Sequence, residues 1–186
     1  MASSAAMFVT RPIQSLSSRV GRMGMMGVDG ELFHVGIRVV DLAAAMDELG
    51  EAHGLTWASM QDRAMDVWLP DAGRVTLQLA LTYSREGPVH LELMSGPSGS
   101  PWDGSAQPGP HHLGYWCDDV AAETERLLRD GWTIELAAAP PEDGYGRFTY
   151  LRSPNGVLME PVSSSARTRF EVWWAGGQLA PHTTSP

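Results

Sequence analysis

The chain repeats itself, and the repeat restricts its architecture more than any other feature. His34-Val-Gly-Ile-Arg-Val-Val-Asp41 returns as His112-Leu-Gly-Tyr-Trp-Cys-Asp-Asp119, with Asp seven residues after His in both copies. Each copy leads into a helical stretch closed by glycine, Gly54 in the first and Gly131 in the second. Asp41 and Asp119 suit helix N-caps, because a short carboxylate can accept from the unpaired amides of the first turn. The glycines suit the left-handed position that follows a helix. Leu42, Met46 and Leu49 form one apolar stripe, and Val120, Thr124, Leu127 and Leu128 form the matching one. A chain of 186 residues holding such a duplication is expected to form two small modules that share a core.

Strand-like segments follow each helix. In the first half they are Met65–Leu69, Arg74–Tyr83 and Val89–Met94; in the second they are Thr133–Leu136, Arg147–Arg152 and Val157–Val162. Pro- and Gly-rich turns separate them, so each half reads βαβββ and the fold class is α+β. The expected division is a flexible arm over 1–30, modules over 31–95 and 111–163, a Gly/Pro-rich linker over 96–110 and a tail over 164–186. Within the tail, Arg167–Trp174 carries Phe170, Val172, Trp173 and Trp174 and reads as a docked segment.

Composition removes several chemistries. All 13 basic residues are Arg, which excludes a Schiff-base lysine, a phosphate-loop lysine and a Ser–Lys dyad. The single cysteine, Cys117, excludes an internal disulfide, a Cys-x-x-Cys pair and a thiolate zinc site. A net charge of −9 repels phosphate backbones, so no nucleic-acid partner is expected. No apolar run approaches the ~20 residues of a membrane span, so no membrane partner is expected either. A cytoplasmic protein is expected. The Arg- and Ser-containing, acid-poor start resembles a mitochondrial transit segment, which would make it mitochondrial.

Strand alternation sorts the remaining candidates. His34, Gly36 and Arg38 share a face; so do His112, Gly114 and Trp116; so do His90, Glu92 and Met94. Glu160 lies opposite Met159 and Pro161 in another apolar strand. Polar groups in the middle of apolar strands are costly unless paired or ligated. His34 with Glu92, and His112 with Glu160, each join the first and last strand of one module. Two facing modules would gather all four around one divalent ion, and this two-nitrogen, two-oxygen set suits Zn, Ni, Co, Mn or Fe(II). His90 shares a face with Glu92 and is a candidate auxiliary acid or base, or a hydrogen-bonded sheet histidine. Alternation turns His111 to the opposite face as a structural residue. Arg38, Trp116, Tyr150 and Trp102 are candidate pocket residues, with ion pairing preferred for Arg38.

Over about Leu32–Val162 the sequence resembles the vicinal oxygen chelate superfamily, in its glyoxalase-like, epimerase-related branch. The segments that carry the resemblance are Phe33–Ile37, Val89–Met94, Pro110–Asp119 and Asn155–Val162. It implies two tandem βαβββ modules forming a cupped mixed sheet around a metal held by His34, Glu92, His112 and Glu160. It also implies a metal-dependent lyase or isomerase, epimerase-like, that abstracts a proton from a small or medium carbonyl compound through a metal-stabilised enolate. Glu160 is then the first candidate base and Glu92 the second. Epimerases of this branch usually carry Gln at the Glu92 position, so the ligand set leans towards the glyoxalase I pattern. The partners implied are a small-molecule substrate and a second copy in a homodimer. Two alternatives stay open: an Fe(II) ring-cleaving dioxygenase, and a non-catalytic protein that binds an antibiotic or metabolite.

Overall fold

The structure, a computed structural model, describes residues 30–180. Its first half runs β1 (Leu32–Arg38), α1 (Leu42–His53), β2 (Gln61–Leu69), β3 (Gly73–Tyr83) and β4 (His90–Ser95). Its second half runs β5 (Gly109–Cys117), α2 (Val120–Arg129), β6 (Thr133–Ala137), β7 (Thr149–Arg152) and β8 (Leu158–Ser163), followed by α3 (Arg167–Trp174). The duplicated βαβββ pattern is therefore present, and the α+β expectation holds. Both expected N-caps form: the Asp41 carboxylate accepts from the Ala44 amide at 3.0 Å and the Asp119 carboxylate from the Ala122 amide at 2.9 Å. Gly54 and Gly131 both take positive φ.

The strands close in the order β1-β4-β3-β2-β6-β7-β8-β5, an eight-stranded barrel-like cup. In each half the first and last strands are parallel neighbours, β1 with β4 and β5 with β8. The halves join through β1 and β5, which run antiparallel, and meet again only at Trp68 and Ala137 on the opposite seam. α1 lies outside β4, and α2 lies outside β6, β7 and β8. Both apolar stripes face the sheet, but α2 buries Val120, Thr124 and Leu127 whereas α1 fully buries Leu42 alone.

Aromatic side chains fill the cup. Phe33 and Trp116 stack with centroids 3.7 Å apart, and α3 lays Phe170 and Trp174 over them and Trp173 against Tyr83. Trp173 is fully buried, and its indole N–H donates to the Ser59 carbonyl at 2.9 Å. Burying large aromatic surface holds α3 in place. Arg85 then ties down its end by donating to the carbonyls of Trp174 and Ala175. The connection between the halves is an ordered turn. Asp103 accepts from the backbone amides of Gly99, Ser105 and Ala106 and from the Ser105 hydroxyl. These bonds, Ser105 foremost, hold its carboxyl well below the usual range. The turn drives Trp102 into the cup, where its N–H donates to the Tyr150 hydroxyl at 3.2 Å.

Candidate metal centre

Register explains how the four predicted ligands meet. β1 and β5 place His34 opposite Gly114 and Gly36 opposite His112. On the outer sides, Gly36 neighbours Glu92 on β4 and Gly114 neighbours Glu160 on β8. Two adjacent rows result: Glu92–Gly36–His112, and His34–Gly114–Glu160. Each glycine sits between an imidazole and a carboxylate, and only a residue without a side chain fits there. A Cβ on Gly36 would lie 2.2 Å from the His112 ring, and one on Gly114 would lie 1.8 Å from the His34 ring. The glycine in each His-x-Gly copy thus makes room for the histidine of the other copy.

His34, Glu92, His112 and Glu160 are all buried and offer ligand atoms that lie within 4.8 Å of one another. The two Nε2 atoms are 2.7 Å apart. Glu160 Oε2 lies 2.9 Å from His34 Nε2 and 3.0 Å from His112 Nε2; Glu92 Oε2 lies at 3.4 and 3.2 Å. Burial alone would push His112 down, but the Glu160 and Glu92 carboxylates outweigh it and push it up. Burial alone would push Glu160 up, but His112 and His34 hold it well below its ordinary range. Glu92 Oε2 is buried without a hydrogen-bond partner. Two buried carboxylates facing two imidazole nitrogens, one oxygen orphaned, are a donor set that a divalent cation neutralises and satisfies. The residues fit the ion that the sequence implies.

The neighbours of the two histidines differ from the alternation pattern. Between Gly36 and Ile37 the register with β5 slips, leaving His111 as an extra residue; between Leu32 and His34 it slips again, leaving Phe33 extra. Such bulges re-aim a side chain. Hence Phe33 and His34 both point inward, and His111 lies beside His112 with their Nδ1 atoms 3.0 Å apart. Burial, then His112 and Arg38, press His111 down to about 3, so it stays neutral and can accept from the His112 ring. The expectation that His111 faces away is corrected by this bulge.

The other candidates divide. Tyr150 and Trp102 line a cavity of about 60 Å³ that also reaches Glu92, Glu160 and Tyr83. Burial first, then the two carboxylates, push the Tyr83 and Tyr150 hydroxyls well up, so both remain protonated donors. Trp116 does not line it, being stacked on Phe33 beneath. Arg38 does not line it either: it donates to Gln107 at 3.0 Å and to the Pro101 carbonyl, fastening the connecting turn. His90 stacks on Trp174 at 3.8 Å and its Nδ1 donates to the Ser84 carbonyl at 2.7 Å, the sheet-histidine alternative rather than the acid–base one. Tyr83 and the three arginines Arg63, Arg147 and Arg169, which also line the cavity, are absent from the sequence-derived set. Alternation along β2 could have flagged Arg63, which shares a face with the buried Met65 and Val67.

Known proteins share this architecture. Residues 33–150 match the glyoxalase/bleomycin resistance protein/dioxygenase superfamily. An ethylmalonyl-CoA/methylmalonyl-CoA epimerase of Cereibacter sphaeroides is 28% identical over 139 residues, covering 70% of this chain and 96% of that relative. A hypothetical protein of Bacillus halodurans superposes with a TM-score of 0.54 at 20% identity, covering 73% of this chain and 95% of that one. A methylmalonyl-CoA epimerase in complex with methylmalonyl-CoA and an ammonium ion superposes with a TM-score of 0.52 at 22% identity, covering 74% of this chain and 96% of that one. At these identities the structural likenesses speak for the fold alone.

Proposed function

The chain belongs to the glyoxalase/bleomycin resistance protein/dioxygenase superfamily, and from that premise we propose that it is a metal-dependent, epimerase-like isomerase. It moves a proton on the carbon beside a carbonyl group of a small or medium-sized substrate. The observation that carries this reading is the buried convergence of two imidazoles and two carboxylates, one of each per half, with both carboxylates lining a cavity. A divalent ion held by His34, Glu92, His112 and Glu160 would stabilise the negative charge that develops on a substrate carbonyl oxygen when the α-proton leaves.

Epimerisation takes a proton from one face of a carbon and returns one to the other. Glu92 and Glu160 come from opposite halves and line the same cavity, which meets that need. Glu160 is the first candidate base, because its histidine neighbours keep it ionised. The protonated Tyr83 and Tyr150 hydroxyls serve as hydrogen-bond donors that orient substrate oxygens. The aromatic wall excludes water from the reacting carbon.

The four-ligand set also separates this reading from a ring-cleaving dioxygenase, which uses two histidines and one carboxylate. The test is solvent exchange. Metal-loaded protein in D2O is expected to place deuterium on the α-carbon of methylmalonyl-CoA or ethylmalonyl-CoA, followed by mass spectrometry. Glu160→Gln should slow the exchange by about 100-fold or more. Exchange at the same rate in Glu160→Gln, or oxygen uptake with ring-diol substrates in its place, would contradict the reading.

A further inference from the structure

Three arginines stand at the opening of the cup. Arg63 is on β2, Arg147 precedes β7 and Arg169 is on α3, so three separate elements deliver them to one place. All three line the inner cavity that reaches Glu92 and Glu160. All three also line a wider vestibule of about 360 Å³, together with Met65, Asp66 and Ala138 among others. The inner cavity has room for only a few waters at about 15 Å³ each, whereas the vestibule is of a size that holds a substrate's larger part.

Their surroundings do not balance their charge. Arg74, Arg126, Arg152 and Arg167 each meet a carboxylate. Among the described residues no carboxylate lies within salt-bridge distance of Arg63, Arg147 or Arg169, although all three are half-buried. The Nε atoms of Arg63 and Arg169 are buried without a hydrogen-bond partner. Arg169 donates to the Ala180 carbonyl at 3.2 Å and lies 5.6 Å over the Phe170 ring, contacts that supply no counter-charge. Asp66, the vestibule's own acid, accepts from the Thr76 hydroxyl across the β2–β3 pair. Burial pushes all three guanidiniums down, and repulsion by Arg63 adds to it at Arg147, as repulsion by Arg147 and Arg63 does at Arg169; at Arg63 itself Tyr83 and Glu92 offset part of the burial without closing an ion pair. Holding three like charges together, partly desolvated, in a chain of net charge −9 is unfavourable unless an anion completes them.

We propose that Arg63, Arg147 and Arg169 bind a multiply charged oxyanionic group of the substrate, a phosphate or a pair of carboxylates. Guanidinium forks match such groups with paired N–H donors. The substrate is then two-ended: a carbonyl end enters towards Glu92 and Glu160, and an oxyanionic end stays among the arginines. This rests on the cup being the active site. It adds a role for α3, which supplies Arg169 from outside the family-matched residues 33–150.

Calorimetric titration of the full chain at low salt tests it, with inorganic phosphate and malonate as separate probes. At least one probe should bind once per chain, and more weakly as NaCl is raised. Arg63→Gln, Arg147→Gln and Arg169→Gln should each weaken it by about tenfold or more, while Arg169→Lys, which keeps the charge but loses the fork, should weaken it less than Arg169→Gln. Preference for phosphate assigns a phosphate ester, and preference for malonate assigns a dicarboxylate. Thermal unfolding checks each variant, and if Arg63→Gln does not fold the other two decide. Binding of neither probe, or binding unaffected by all the folded Gln variants, overturns the proposal. Metal content measured alongside should not change in these variants. A chain that takes up no metal on loading, yet binds phosphate and loses it in Arg169→Gln, would sink the metal-dependent isomerase reading and leave this one standing.

Discussion

His34 and His112 occupy equivalent places in the two halves, yet their outer ring nitrogens meet different company. His112 Nδ1 lies 3.0 Å from His111, while His34 Nδ1 is buried with no partner. The backbone is the same in both: an extra residue bulges out just before each histidine. Only the identity of that residue differs, His111 in one half and Phe33 in the other. The His111 ring can fix the tautomer and orientation of its neighbour, whereas the Phe33 ring, edge-on to His34 at 4.3 Å, fixes position by packing alone. Duplication thus reproduces the ligand positions but not the groups that tune them.

Removing either ligand is the strongest way to probe this pairing. His34→Ala and His112→Ala should each abolish stoichiometric metal binding with near-native circular dichroism, checked by elemental analysis after loading and desalting. Loss from one variant only would break the equivalence of the halves. The next effect falls on the glycines. Gly36→Ala and Gly114→Ala should each destabilise by about 1–3 kcal/mol or more, as overpacking does, since the added Cβ would sit 2.2 and 1.8 Å from the opposing ring. Denaturant titration measures both.

His111→Phe, which copies the first half's arrangement into the second, should weaken metal affinity by about tenfold. A competing chelator titration reads this, and Phe33→Leu should leave the affinity unchanged. An equal loss in both would place the asymmetry in packing rather than in the hydrogen bond. The smallest effects belong to the helix caps. Asp41→Ala and Asp119→Ala should each cost about 1 kcal/mol in thermal or denaturant unfolding and leave metal affinity alone.

What the sequence discloses follows from periodicity. His34, Glu92, His112 and Glu160 stand out because each interrupts a strand of period two and because the pattern occurs twice. The caps at Asp41 and Asp119 are equally legible, being local. His111 is not, because a bulge adds one residue and reverses the face of a side chain without any local signal. Trp116 and Arg38 share a face with the ligand histidines, yet Phe33 covers the first and Gln107 holds the second; neighbours distant in sequence decide both. The arginine cluster is hidden for the same reason, since β2, the segment leading into β7 and α3 meet only once the cup has closed. The connecting turn looks like a loose Gly/Pro-rich stretch until Asp103 is seen gathering its amides.

The convergence of four donors on one cation is best tested by anomalous diffraction from crystals of the full chain grown with cobalt or zinc. One strong anomalous peak per chain is expected, in contact with His34 Nε2, His112 Nε2 and the Glu92 and Glu160 carboxylates. A peak elsewhere, or no peak among these four groups with metal in excess, would contradict it.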